Sequence, residues 1–186
     1  MKVLAVSGSL REKSYNTALA RAAVELAPDG VAVEIYDALA LLPPYDEDLD
    51  GEDPPAAAAD LRARIADADA LLFVTPEYNG SIPGVLKNAI DWASRPPRGG
   101  AAIWGKTAAI AGASTGQYGA IWAQQDLRRV LGIAGARVVD GELPVVRAQD
   151  AFDDRGRLLD ARIEDRLADQ LATLVAEAAP PVAVAA

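Results

Sequence analysis

The chain has 186 residues, 51% of them apolar but only 5% aromatic, and its 18 Lys and Arg stand against 27 Asp and Glu for a net charge of −9. That length suits one domain with a sizeable core of Ala, Val, Leu and Ile, and the acidic balance argues against nucleic acid or an anionic membrane as partner. There is no Cys and no His, which removes disulfides, thiolate catalysis, the commonest metal ligand and the usual base near neutral pH, so the chemistry is expected to belong to a bound cofactor and no metal is expected.

No apolar run approaches the roughly 18 residues of a membrane span. The N-terminus enters a strand without a signal-peptide pattern, so the chain reads as cytoplasmic. Lys2 to Ser7 is a short apolar strand, and Thr17 to Leu26 carries Leu19, Ala22, Ala23 and Leu26 on one helical face. Val31 to Tyr36 reads as a second strand. Asp37 to Pro55 holds Pro43, Pro44, Pro54 and Pro55 among acids, so a long surface loop is expected. A helix over Ala56 to Ala68 follows, with Leu61 and Ile65 in register. Ala70 to Thr75 is then a fully apolar strand of the kind buried in parallel sheets. Ser81 is placed to cap the next helix, with Pro83 in its first turn and Leu86, Ala89, Ile90 and Ala93 facing inward. Lys106 to Ala111 is a fourth strand, Ala120 to Leu131 a helix, and Ala136 to Val139 a fifth strand. Leu159 to Ala178 closes the pattern as an amphipathic helix, leaving a loose tail from Pro180 to Ala186.

Strands alternating with helices imply a three-layer α/β fold, a doubly wound parallel sheet with helices on both faces. Five strands predict the flavodoxin-like order 2-1-3-4-5 within one domain over 1–179. In that order the ligand crevice lies beyond the carboxyl ends of strands 1 and 3, where the chain reverses direction across the sheet.

Three loops converge on that edge. After strand 1, Ser9, Ser14, Asn16 and Thr17 supply neutral donors and Arg11 a forked cation at the start of a helix, an arrangement suited to a phosphate. Ser14 or Asn16 serves equally as a plain helix cap. The segment lacks both GxGxxG and GxxxxGK[ST], so a phosphate monoester fits it better than a dinucleotide or a nucleotide triphosphate. After strand 3 comes TPEYNGS, in which Pro76 and Gly80 are ordinary turn residues. Tyr78 and Asn79 are more than a turn needs, and they suit a flat heterocycle with carbonyls and ring nitrogens. After strand 4, GASTGQYG allows a backbone wall close to a ligand.

GSLREKSYNTALA, TPEYNGSIPGVLKNAIDWASRP and GASTGQYGAIWAQQDLRRVLG resemble the NADPH-dependent FMN reductase family, which includes quinone, azo-dye and chromate reductases. The likeness extends to the LPPYDEDL loop at Leu42 to Leu49. It implies tightly bound FMN, NADPH or NADH as hydride donor, a small-molecule electron acceptor, and homodimers or tetramers with flavins near subunit interfaces. Carried onto this chain, Ser9, Arg11, Ser14 and Asn16 would hold the FMN phosphate, with Tyr15 and Thr17 beside them. Pro76, Glu77, Tyr78, Asn79, Gly80 and Ser81 would border the isoalloxazine, and Ser114, Thr115 and Gly116 would close the other side. Some relatives carry an aromatic where Gly80 stands, so the substrate side is expected to be more open here.

The resemblance leaves other roles in view: an FMN-binding electron carrier without NAD(P)H turnover, or a reductase supplying reduced flavin to a monooxygenase. Arg95 and Arg98, just after the third helix, are candidates to reach an NADPH phosphate. Trp92 and Trp122 fall off the inward faces of their helices, as does Val85, so an interface between two copies is expected there.

Overall fold

The computed structural model describes residues 1–96 and 99–179; the expected tail, 180–186, and Arg98 lie outside the described residues. The strands are β1 (Lys2–Ser7), β2 (Ala32–Tyr36), β3 (Ala70–Val74), β4 (Thr107–Ala113), β5 (Arg137–Val138) and β6 (Leu143–Val145). The helices are α1 (Tyr15–Glu25), α2 (Ala56–Asp67), α3 (Gly84–Ala93), α4 (Ile121–Ile133), the single turn α5 (Ala148–Ala151) and α6 (Ala161–Ala178). The sheet runs β2-β1-β3-β4-β5, all pairs parallel, in the order that the alternation of elements predicts.

Successive strand residues face opposite sides of the sheet. Leu4, Val6, Leu71, Phe73 and Ile110 pack under α2, α3 and α4 through Leu61, Ile65, Leu86, Ile90 and Leu127. Val3, Ala5, Leu72, Val74 and Ala111 pack under α1 and α6 through Leu19, Leu167, Leu171 and Leu174. Burial on both faces explains why β3 is apolar at every position.

The fifth strand departs from expectation. It is split: β5 pairs with Thr107 and Ala108, then the chain swings out and returns as β6 against Ala111 to Ala113. The intervening carbonyl of Ile110 accepts from Nε2 of Gln170 on α6 at 2.9 Å, so a side chain fills the missing rung of the ladder. The expected fifth strand, Ala136 to Val139, thus covers only the first of the two segments, and Asp140-Gly141-Glu142 connects it to the second.

The long loop from Asp37 to Pro55 contains two 3₁₀ turns, Leu39–Leu41 and Glu47–Leu49. It folds back onto α3, and this overturns the expectation for Trp92. Its indole is fully buried, donates from Nε1 to the carbonyl of Pro43 at 2.8 Å, and meets Tyr45 edge to face at 4.9 Å. Asn88 secures the same loop, donating to the Pro43 carbonyl at 2.8 Å and accepting from the Tyr45 N–H at 2.7 Å. Trp92 is therefore a core residue of this protomer, covered by its own chain. Trp122 does remain exposed, at 47%. Among the described residues, no helix is long and apolar enough to cross a membrane.

Candidate functional site

The carboxyl ends of β1, β3 and β4 lie side by side, and the loops that leave them enclose a cleft of about 280 Å³. Ser9, Arg11, Ser14, Tyr15 and Asn16 line one end, Pro76, Glu77 and Tyr78 another wall, and Ala113, Ser114 and Thr115 the third. Gly8 lets the first two meet: a Cβ there would lie 2.9 Å from Leu86 Cδ2 and 3.4 Å from Pro76 Cδ. The backbone of Gly8 then donates to Val74 O at 2.8 Å, joining the exits of β1 and β3.

The end of the cleft at the start of α1 carries hydrogen-bond donors suited to an anion. Ser14 caps α1 by accepting from the N–H of Thr17 at 3.3 Å, which leaves its own hydroxyl proton free to donate outward. Among the described residues no acceptor meets the N–H groups of Tyr15 and Asn16. Two open N–H groups, the Ser9 and Ser14 hydroxyls and the Arg11 guanidinium thus face one end of the cleft. Helix polarity adds positive potential there. Arg11 lies 5.4 Å over the ring of Tyr15, which itself stacks on Phe152.

Other residues of the expected set have different duties. Asn16 is buried, and its carboxamide grips the backbone of Ala113 at both ends: Nδ2 donates to Ala113 O at 3.0 Å and Oδ1 accepts from Ala113 N at 2.8 Å. It clamps α1 to β4, and only its backbone N–H remains open toward the cleft. Thr17 lies outside the lining, its hydroxyl 3.0 Å from that of Ser7. Gly116 also lies outside, its N–H donating to Ser114 Oγ at 3.1 Å.

Asn79 and Gly80 form the tip of a two-residue hairpin. Both have positive φ, 53° and 76°, and Tyr78 and Ser81 exchange backbone hydrogen bonds of 3.0 and 3.1 Å across them. Asn-Gly is the pair most suited to such a primed turn, and that signal was present in the sequence. The two residues lie beyond the cleft lining. A Cβ on Gly80 would meet nothing within 4 Å in this protomer.

Ser81 does not cap α3, whose N-cap position is Pro83 with no side-chain hydrogen bond. Its hydroxyl donates to Asp126 Oδ2 on α4 at 2.5 Å, and this bond, with Arg129, holds the Asp126 carboxyl below the usual carboxylate range. Glu77 also turns to α4, accepting from the N–H of Ala123 at 3.1 Å. The sequence reading missed that link and the cleft residue Ala113, since neither leaves a local pattern.

Arg95 does not reach the cleft in this protomer. It follows the C-terminal end of α3, a ten-residue helix, and lies outside the cleft lining. Its guanidinium lies 5.4 Å over the Tyr45 ring, in a separate groove of about 590 Å³ that it shares with Trp104, Arg129 and Ile133.

Comparison with known proteins agrees with this geometry. The model of the NADPH-dependent FMN reductase family matches residues 1–150. An NAD(P)H-dependent FMN reductase of Pseudomonas aeruginosa is 46% identical over 175 residues, 94% of this chain and 93% of that one. A 2-hydroxy-1,4-benzoquinone reductase of a Burkholderia species is 50% identical over 131 residues, 70% of this chain and 69% of its own. Among solved structures, the flavoenzyme NAD(P)H:(acceptor) oxidoreductase FerB of Paracoccus denitrificans matches with a TM-score of 0.82 at 34% identity, covering 95% of this chain and 96% of that one. A parallel sheet of order 2-1-3-4-5, a cleft at its switch point and a family match over four-fifths of the length lead to one conclusion: the chain belongs to the NADPH-dependent FMN reductase family, as an oxidoreductase that uses FMN and NAD(P)H.

Proposed function

We propose that the cleft seats FMN with its phosphate on the start of α1 and its ring between the loops after β3 and β4, and that the protein reduces small quinones with NAD(P)H. The observation that carries the site assignment is the pair of open N–H groups at Tyr15 and Asn16, set beside Ser9, Ser14 and Arg11. When bound, FMN supplies the hydride-accepting and electron-donating chemistry. The chain's own part is to bind and orient. Arg11 and the hydroxyls fix the phosphate, Tyr78 and the backbone of Glu77 border the ring, and Ser114 and Thr115 close the opposite wall. A quinone as acceptor is supported by the benzoquinone reductase likeness and by the open space above Gly80 in this protomer. Dependence on NAD(P)H supports work in the cytoplasm, where that cofactor is found.

The visible spectrum of the purified protein under anaerobic conditions tests the reading. Flavin bands should bleach on addition of NADPH or NADH and return on addition of a benzoquinone. Bands that persist with both nicotinamides would point instead to an electron carrier reduced by another protein. No side chain here has an ordinary pKa between 6 and 8, given the absence of His and Cys. The bleaching rate in stopped flow should accordingly vary little across that range, whereas a steep one-proton dependence would require a protein acid or base in the step.

We also propose that the protein is a homodimer. With Trp92 buried, the support comes from the α4 side. Trp104 and Ile133, 51% and 75% exposed, line one groove, and Trp122, 47% exposed, stands at the other end of α4; apolar surface of this kind suits an interface. Sedimentation at micromolar concentration should give twice the chain mass, and a single-chain mass would refute the dimer.

A further inference from the structure

Helix α4 begins without a cap of its own. Its N-cap residue is Ala120, in a left-handed conformation (φ 61°, ψ 32°), and its first turn holds no acid. A helix start leaves several N–H groups without intrahelical partners, and a nearby anion is favourable there. The N–H of Ala123 finds its acceptor 46 residues back along the chain, in Oε2 of Glu77 at 3.1 Å. Glu77 is only partly buried and lines the cleft beside Tyr78. Four positions on, Ser81 ties the other end of the hairpin to Asp126 on the same helix.

These contacts have a consequence for the cleft. The segment Ser114 to Ala120 runs from one cleft wall directly into α4, so α4 sets the position of that wall. Glu77 belongs to the facing wall. Beside the Ser81–Asp126 bond, the Glu77 carboxylate therefore couples the loop after β3 to the loop after β4 from within the cleft. We propose that Glu77 is a positioning residue, acting through α4 to hold the two ring-facing walls at their spacing. This rests on the proposal that the flavin ring lies between those walls.

The proposal separates ring binding from phosphate binding. In Glu77→Ala the walls lose the link at the cleft itself, with the Ser81–Asp126 bond remaining at the far end of the hairpin, while the start of α1 is untouched. FMN and riboflavin should then weaken together, by roughly 3- to 30-fold for a residue that modulates a site through a neighbour. Glu77→Gln keeps an acceptor at the same reach and should restore most of both affinities. Glu77→Asp keeps the charge but is one methylene short, so it should resemble Glu77→Ala. The circular dichroism of the bound flavin, which reports on ring surroundings, should shift in the Ala and Asp variants and return in Gln. The measurement is fluorescence titration of the apo-protein with each flavin. Should Glu77→Ala fail to fold, the Asp and Gln pair decides alone. Unchanged affinities, a loss confined to FMN, or an Asp variant that outperforms Gln would each overturn the proposal. Failure of the wild type to bind FMN would instead strike at the proposed function.

Discussion

Replacing Asn16 with alanine should destabilise the apo-protein by roughly 2–6 kcal/mol, because two buried backbone groups each lose a partner at about 1–3 kcal/mol. The groups are the N–H and C=O of Ala113, at the carboxyl end of β4, which Asn16 satisfies at 2.8 and 3.0 Å. Ala113 is 3% exposed and Asn16 4%, so water cannot readily replace the carboxamide. In a chain of this size each kcal/mol moves Tm by about 2–4 °C, so the melting temperature should fall by roughly 4–24 °C. Asn16→Asp should recover little. A carboxylate still accepts from the Ala113 N–H, but it sets a second oxygen against the Ala113 carbonyl. Thermal denaturation of the protein stripped of flavin is the decisive measurement. A Tm within a degree or so of wild type would mean that Asn16 serves only the ligand.

Arg11→Ala should leave stability intact and weaken FMN about 10- to 150-fold. Hydrogen bonds to charged groups contribute roughly 1.5–3 kcal/mol, a forked Arg pair lies toward the upper end, and about 1.4 kcal/mol is one decade of affinity. The side chain is exposed at the rim of the cleft and rests on Tyr15 without core packing. Among the described residues no carboxylate pairs with it, so nothing competes for its fork. Riboflavin, which lacks the phosphate, should bind wild type and variant alike. Arg11→Lys should recover part of the loss, since an ammonium cannot reproduce a bidentate contact. Equal FMN affinity in all three proteins would remove the phosphate from this loop.

Asn16, in the first turn of α1, and Arg11, in the loop before it, stand five residues apart, and the sequence read both as phosphate ligands. Nothing local distinguishes them. Asn16 has the chemistry of a cap, a ligand or a clamp, and the choice depends on Ala113, 97 residues later. Ser81 shows the same limit. Three residues before a helix it looks like a cap, yet Asp126 claims its hydroxyl from across the fold. Trp92 was misplaced for a related reason. Helical periodicity assigns a face, but it cannot foresee that the proline-rich loop at Pro43 to Tyr45 will fold over that face and bury it.

What the sequence determined by itself is whatever rests on local repetition. Runs of apolar residues at strand and helix spacing placed β1 to β4 and all the long helices within about two residues, and strict alternation then leaves few topologies open. Glycines, hydroxyls and an arginine between those elements located the cleft at the switch point, because in a parallel sheet the loops after β1, β3 and β4 must emerge on one edge. Only the tertiary structure decided which of those polar groups stay available. Each buried backbone N–H and C=O must find a partner, and Asn16, Gln170 and Glu77 are drawn into that service by groups far away in the chain, while Ser81 is claimed by the distant carboxylate of Asp126. The residues left open to a ligand are those that the packing did not claim.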